Sequence, residues 1–127
     1  MGGSSGTWLI VSPAVTFGDK SRRMWEIEFP VDAARFNVFI GGSNRRGTEP
    51  PWNQEFFGAS YFVGPNGRLP RIDSPEELVV ADLDANLLRM CTGRRWIKSR
   101  RPELYKSLAE PTGKEEDIRK VRFSQTE

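Results

Sequence analysis

Phe36-Asn37-Val38-Phe39-Ile40-Gly41-Gly42-Ser43 is the stretch on which the fold turns. It is short, apolar at its centre and closed by two glycines and a serine, which reads as a buried strand. Upstream, Met24, Ile27, Val31 and Ala34 recur at spacings of three, four and three, predicting a helix with that apolar face. Asp19 and Ser21 are its candidate caps. Pro30 lacks an N–H donor and is expected to kink the helix or start a new one. Before the helix, Thr7-Trp8-Leu9-Ile10-Val11 predicts a short buried strand ended by Ser12-Pro13.

Downstream, Arg46 to Gln54 holds Gly47, Pro50 and Pro51 and reads as a loop. Ala59 to Val63 is strand-like and runs into Gly64-Pro65-Asn66-Gly67, where Asn-Gly signals a tight turn. Leu69 to Ile72 is a candidate returning strand, confined by Pro70 to an edge or bulge. Glu77 to Leu83 reads as another strand. Asp84 caps a helix with apolar positions Leu87, Leu88 and Cys91, stopped by Gly93. The order predicts a layered α+β domain with helices backing the sheet and no internal repeats. Nothing upstream pairs with the first strand, so apolar strands are expected to lack a covering layer on one side.

The 127 residues contain no histidine and one cysteine. This rules out a His general base, an imidazole metal ligand, an internal disulfide and a multi-Cys zinc site. The longest apolar run, Trp8 to Val11, falls far short of the about 20 residues that cross a bilayer. Residues 1–6 have no basic or apolar region of a signal peptide and read as a flexible lead-in. A cytoplasmic protein without membrane association is expected. The net charge of +2 is unevenly spread, since residues 1–88 carry net −3 and residues 89–127 net +5. A basic end can attract a phosphate backbone. Five acidic residues, Glu103, Glu110, Glu115, Glu116 and Asp117, interrupt it, so a solvated charged tail over residues 111–127 is preferred to nucleic-acid binding. A non-catalytic interaction or nucleic-acid-binding protein using this basic third is the alternative reading.

Local chemistry supplies no catalytic constellation. Cys91 has arginines near it in sequence (Arg89, Arg94, Arg95), but no histidine to activate it, and its place beside Leu87 and Leu88 favours packing. Glu26 and Glu28, two apart on a helix, point in different directions. Neither glycine cluster matches a phosphate-binding loop. Trp8, Trp25, Trp52 and Trp96 are scattered, as core anchors are.

Read as a continuous string, the chain resembles the carbon–nitrogen hydrolase (nitrilase) superfamily. Ile10-Val11-Ser12-Pro13-Ala14-Val15-Thr16 is similar to a hydrophobic strand followed by N-P-S-A-T, with Ser12 in place of Asn. Trp25-Glu26-Ile27-Glu28 resembles W-x-I-E. Ala33-Ala34-Arg35-Phe36-Asn37 stands where R-A-x-E-N is common and keeps only the alanine and the asparagine of it, Ala34 and Asn37. Asn44-Arg45-Arg46-Gly47 resembles N-R-x-G, and Phe56 to Gly67 resembles F-Y-G-S-S-Y-F-V-x-P-x-G. Glu77 to Asp84 matches the last core strand, and Arg100-Arg101-Pro102-Glu103-Leu104-Tyr105 resembles R-R-P-E-x-Y. The seven elements occur in order over about residues 8–108. Two of them point to the branch holding β-ureidopropionases and N-carbamoyl amidohydrolases.

The resemblance implies that residues 7–110 are the C-terminal portion of a four-layer αββα sandwich. It implies chemistry by a Cys nucleophile, a Glu base and a Lys, with no metal or cofactor, on a small-molecule N-carbamoyl or amide substrate in the complete enzyme, as in pyrimidine catabolism. The three catalytic residues match no position here, and Cys91 is not the nucleophile, so the chain alone is expected to be inactive. What carries over is pocket wall: Ser12 and Thr16 bordering the substrate, and Asn44, Gly58, Ala59 and Ser60 shaping loops near it. A homo-oligomer is also implied, with residues 94–127 as candidate interface.

Overall fold

The structure, a computed structural model, describes residues 6–91 and 98–117 of the chain. The central apolar run forms strand β2 over Phe39–Asn44, buried at every position but Ser43. Phe36 instead ends the preceding helix, α1, Asp19–Phe36. Strand β1, Leu9–Ala14, pairs parallel with β2, so that β1, α1 and β2 form a β-α-β crossover. Strand β5, Tyr61–Gly64, lies antiparallel on the other side of β2, followed by the two-residue β6, Gly67–Arg68. The sheet order is β1-β2-β5-β6. Pro65-Asn66 makes the hairpin turn into Gly67, as expected from Asn-Gly.

Helix α1 covers one face of this sheet. Trp25 and Ala33 are buried, and Phe29 packs beside them against Val38, Ile40, Tyr61 and Val63. Full burial of a Val or Phe side chain such as Val63 or Phe39 contributes about 1.5–3 kcal/mol. The apolar face expected at Met24, Ile27 and Val31 points outward, at 43%, 57% and 44% exposure, and Ala34 is exposed with it. Two apolar stripes run along this helix, and the aromatic one wins because the sheet beneath it has room. A Cβ on Gly42 would sit 2.6 Å from Phe29 Cε2 and 2.8 Å from Trp25 Cζ2. Gly42→Ala is therefore expected to cost about 1–3 kcal/mol by overpacking, read as a lower urea midpoint at unchanged slope. An unchanged midpoint would show that the helix can ride up without penalty.

Neither expected cap acts on α1. Gly18 is the N-cap without a side-chain bond, and Asp19 is the first helical residue, where its charge suits the helix dipole. Pro30 does not divide the helix, which runs through it as one 18-residue element. Asn37 ends it in the left-handed conformation, at φ 55°. Its side-chain amide donates to Leu88 O at 2.6 Å, tying α1 to the second helix, α2, Ala85–Met90. That helix is capped as expected, Asp84 accepting from Asn86 N. Leu87, Leu88 and Cys91 on it are half-buried, and Cys91 Sγ donates to Asn66 Oδ1 at 3.3 Å.

Three strand expectations change. The first strand is not buried, because it is the sheet edge, and it continues through Pro13, which an edge tolerates. The stretch expected as a loop over 46–54 instead folds back as a hairpin of β3, Arg46–Glu49, and β4, Gln54–Phe57, with Pro50 and Pro51 in its turn. The two chain directions expected at 69–72 and 77–83 form no strands and meet only in a single bridge, Ile72 to Val80. A strand is held by a neighbour's ladder of hydrogen bonds, and these stretches have one rung. A 3-10 turn at Pro102–Leu104 and a short helix at Lys106–Ala109 follow. Gly93, Arg94, Arg95 and Trp96, and most of the lead-in and of the charged tail, lie outside the described residues.

Candidate functional site

Strands β1 and β2 run parallel and end side by side, at Ala14 and Asn44. Beyond that point the two chains part, and Asn44 bridges the gap. Its Oδ1 accepts from Thr16 N at 2.8 Å. Its Nδ2 donates to Gly58 O at 3.0 Å and to Thr16 O at 3.3 Å. Its backbone N–H donates to Ser60 Oγ at 2.9 Å, and that hydroxyl returns a bond to Asn44 O at 3.3 Å. Asn44 is 8% exposed, so it is the buried polar side chain that the sheet end is built around.

The loop before β5 is shaped to meet it. Gly58 and Ala59 are both left-handed, at φ 63° and 56°, and a Cβ on Gly58 would sit 2.9 Å from Arg46 Cβ. A left-handed alanine is strained by about 1–2 kcal/mol. Two bonds offset that strain, one from Asn44 to Gly58 O and one from Trp25 Nε1 to Ala59 O at 2.8 Å. The core helix and the sheet end thus hold the same two residues. Tyr61 continues the arrangement, its hydroxyl donating to Trp25 O. Burial pushes the Tyr61 phenol up from its ordinary range, and the Arg68 guanidinium, 4.0 Å from the ring centroid, pulls the other way.

Of the six residues expected to line a pocket, the structure brings Thr16, Asn44, Gly58 and Ser60 into one hydrogen-bonded cluster, with Ala59 joined through Trp25. Ser12 stands apart on β1, opposite Gly42, and shares none of these bonds. The Thr16 hydroxyl is buried beside the cluster without a partner. Trp25 is the member that sequence reading treated only as a core anchor. The signal for its second role was its place in W-x-I-E.

A cleft of about 440 Å3 adjoins the cluster, between the start of α1 at Gly18 and Arg22 and the hairpin at Arg46, Phe56 and Phe57. Its arginines are partnered, Arg22 with Glu26 at 3.3 Å and Arg46 with Glu76 at 2.7 Å. Both pairs are exposed, and such pairs contribute little to stability. Chemically the arrangement can hold and shape a ligand. It does not assemble a nucleophile with a base, since Thr16 has no titratable neighbour bonded to it and Cys91 lies at the end of α2. Among the described residues no three His, Cys, Asp or Glu side chains are placed to hold a metal ion, and no helix is long and apolar enough to cross a membrane.

Comparison with known proteins gives this geometry a family. The β-ureidopropionase of Arabidopsis thaliana is 31% identical over 103 aligned positions, covering 68% of this chain and 25% of that protein. A crystal structure of a carbon–nitrogen hydrolase from Helicobacter pylori G27 superposes with a TM-score of 0.63 at 21% identity, over 80% of this chain and 41% of that one. The chain belongs to the carbon–nitrogen hydrolase superfamily. It does so over only part of the family's length, spanning a quarter of the curated relative and 41% of the solved structure. No family model matches the sequence. The mixed α+β architecture is that of a carbon–nitrogen hydrolase, of which these residues supply a helix layer and the sheet beneath it.

Proposed function

We propose that the chain is the C-terminal portion of a carbon–nitrogen hydrolase of the β-ureidopropionase type, forming one wall of a pocket for N-carbamoyl amino acids or amides. The observation that carries this reading is the Asn44 cluster. It fixes the loops at 14–18 and 57–60 from beneath, which is how a binding wall is held to the tolerance that catalysis needs. The Cys, Glu and Lys that do the chemistry belong to the other portion of the domain, and the wall residues cannot replace a positioned nucleophile and base. The cytoplasm and pyrimidine breakdown are the setting this reading gives it.

The test is direct. The 127-residue chain, incubated alone with N-carbamoyl-β-alanine, is expected to release no ammonia above the buffer control. Turnover in the range ordinary for enzymes, about 1 per second or faster, would overturn the assignment of the catalytic residues to the other portion.

A further inference from the structure

The two edges of the main sheet are finished differently. Strand β6 is two residues long, and Arg68 on it folds over the Tyr61 ring. Short strands and charged side chains are how a sheet edge is closed to further pairing. Strand β1 is the opposite case, with six residues, β2 on one side and no strand on the other. Its free edge presents unpaired backbone groups, and no charged side chain lies between Leu9 and Ala14 to discourage a neighbour.

The face of β1 is as telling as its edge. Ala14 packs into the core beneath α1, so by strand alternation Ser12 and Ile10 point the same way and Leu9, Val11 and Pro13 point to the other face. On that face Val11 is 63% exposed, and Trp8, just before the strand, is 53% exposed. Next to them Gly41 is roofed by Phe62 and Phe39 is fully buried, so the apolar surface begins under cover at β2 and runs out into the open at β1. The chain overlays 41% of a solved carbon–nitrogen hydrolase, so most of that fold is polypeptide this chain does not match.

We propose that the free edge of β1 and the Val11 face are the docking surface for the complementary portion of a carbon–nitrogen hydrolase domain, which adds a strand to β1 and lays an apolar layer over Val11. This rests on the reading of the chain as one portion of such a domain. Main-chain bonds along the edge supply pairing, and Trp8 and Val11 supply the apolar contact.

The experiment is co-expression of the full 127-residue chain with the Arabidopsis β-ureidopropionase from which the matched 103 residues have been removed. Size exclusion with light scattering is expected to give a 1:1 complex, and hydrogen exchange at residues 9–14 is expected to slow by about tenfold or more, equivalent to about 1.4 kcal/mol of protection. Val11→Lys, at an exposed position, is expected to leave the melting curve of the isolated chain in place and to weaken the complex about tenfold or more. Met24→Lys, on the outward face of α1, is expected to leave binding unchanged. The proposal is overturned by absence of a complex, by a complex indifferent to Val11→Lys, or by a dimer of this chain that Val11→Lys abolishes and the complement does not displace. Turnover by the chain alone would sink the proposed function without touching this result, and failure to bind with the chain still inactive would sink only the docking surface.

Discussion

Trp25→Ala is expected to remove about 4 kcal/mol of folding stability, the loss typical of truncating a buried tryptophan. Trp25 is 6% exposed and packs edge-on against three rings, Phe29 at 4.8 Å and Phe57 and Tyr61 at 6.2 Å between centroids. Its truncation opens a cavity at the one place where α1, the sheet and the hairpin meet. It also strips Ala59 O of its donor. Trp25→Phe separates the two effects, keeping most of the ring contact and losing the bond, for about 1–2 kcal/mol. Urea unfolding followed by far-ultraviolet circular dichroism measures both. For a domain whose whole stability is of the order of 5–15 kcal/mol, the alanine variant should unfold at a much lower urea concentration. A loss below about 1 kcal/mol would mean that the helix is held chiefly by something other than this residue.

Asn44→Ala carries the second large effect, about 3 kcal/mol, because it leaves the Thr16 N–H and the Gly58 carbonyl without their partner at a buried site. Asn44→Asp is more informative. A carboxylate still accepts from Thr16 N, but it faces the Thr16 and Gly58 carbonyl oxygens with no proton to give. Burial and those oxygens raise its pKa above the ordinary carboxylate range. A group whose folded pKa is raised favours the folded state in its protonated form, so stability should return as pH falls through that value and fade as pH rises. The wild-type chain should lack this recovery. Equal urea midpoints for Asn44→Asp at acid and neutral pH would show that the Nδ2 bonds contribute little.

Some of this was readable from the residues. The apolar run at 38–40 became the buried centre of β2, the Asn66-Gly67 turn formed, and Asp84 capped its helix, because each depends on local chemistry alone. The packing side of α1 did not follow from periodicity. Met24, Ile27 and Val31 form one apolar stripe, and Trp25, Phe29 and Ala33 another, and helical spacing is satisfied by either. What separates them is Gly42 on a different element, which leaves space for aromatic rings. The hairpin at 46–57 was missed because Gly47, Pro50 and Pro51 signal a turn without revealing that both flanks pair. The strand at 77–83 failed for the converse reason: its composition suits a strand, yet pairing needs a partner edge. The candidate wall came from family resemblance, and its bond network is a matter of side-chain direction that no spacing rule contains.

That network has a consequence for how such a wall can change. The Asn44 amide meets both the N–H and the C=O of Thr16, as a peptide group of a neighbouring strand would, and so carries the β1–β2 pairing one step past the point where the main chains separate. The path of the backbone at Thr16 is therefore set by an amide from below, independent of which side chains the loop itself displays. Val15 and Thr16 can be exchanged for other residues while the main chain stays where it is. A pocket lined this way can be retailored to a new substrate by changing its surface alone, with the frame behind it left standing.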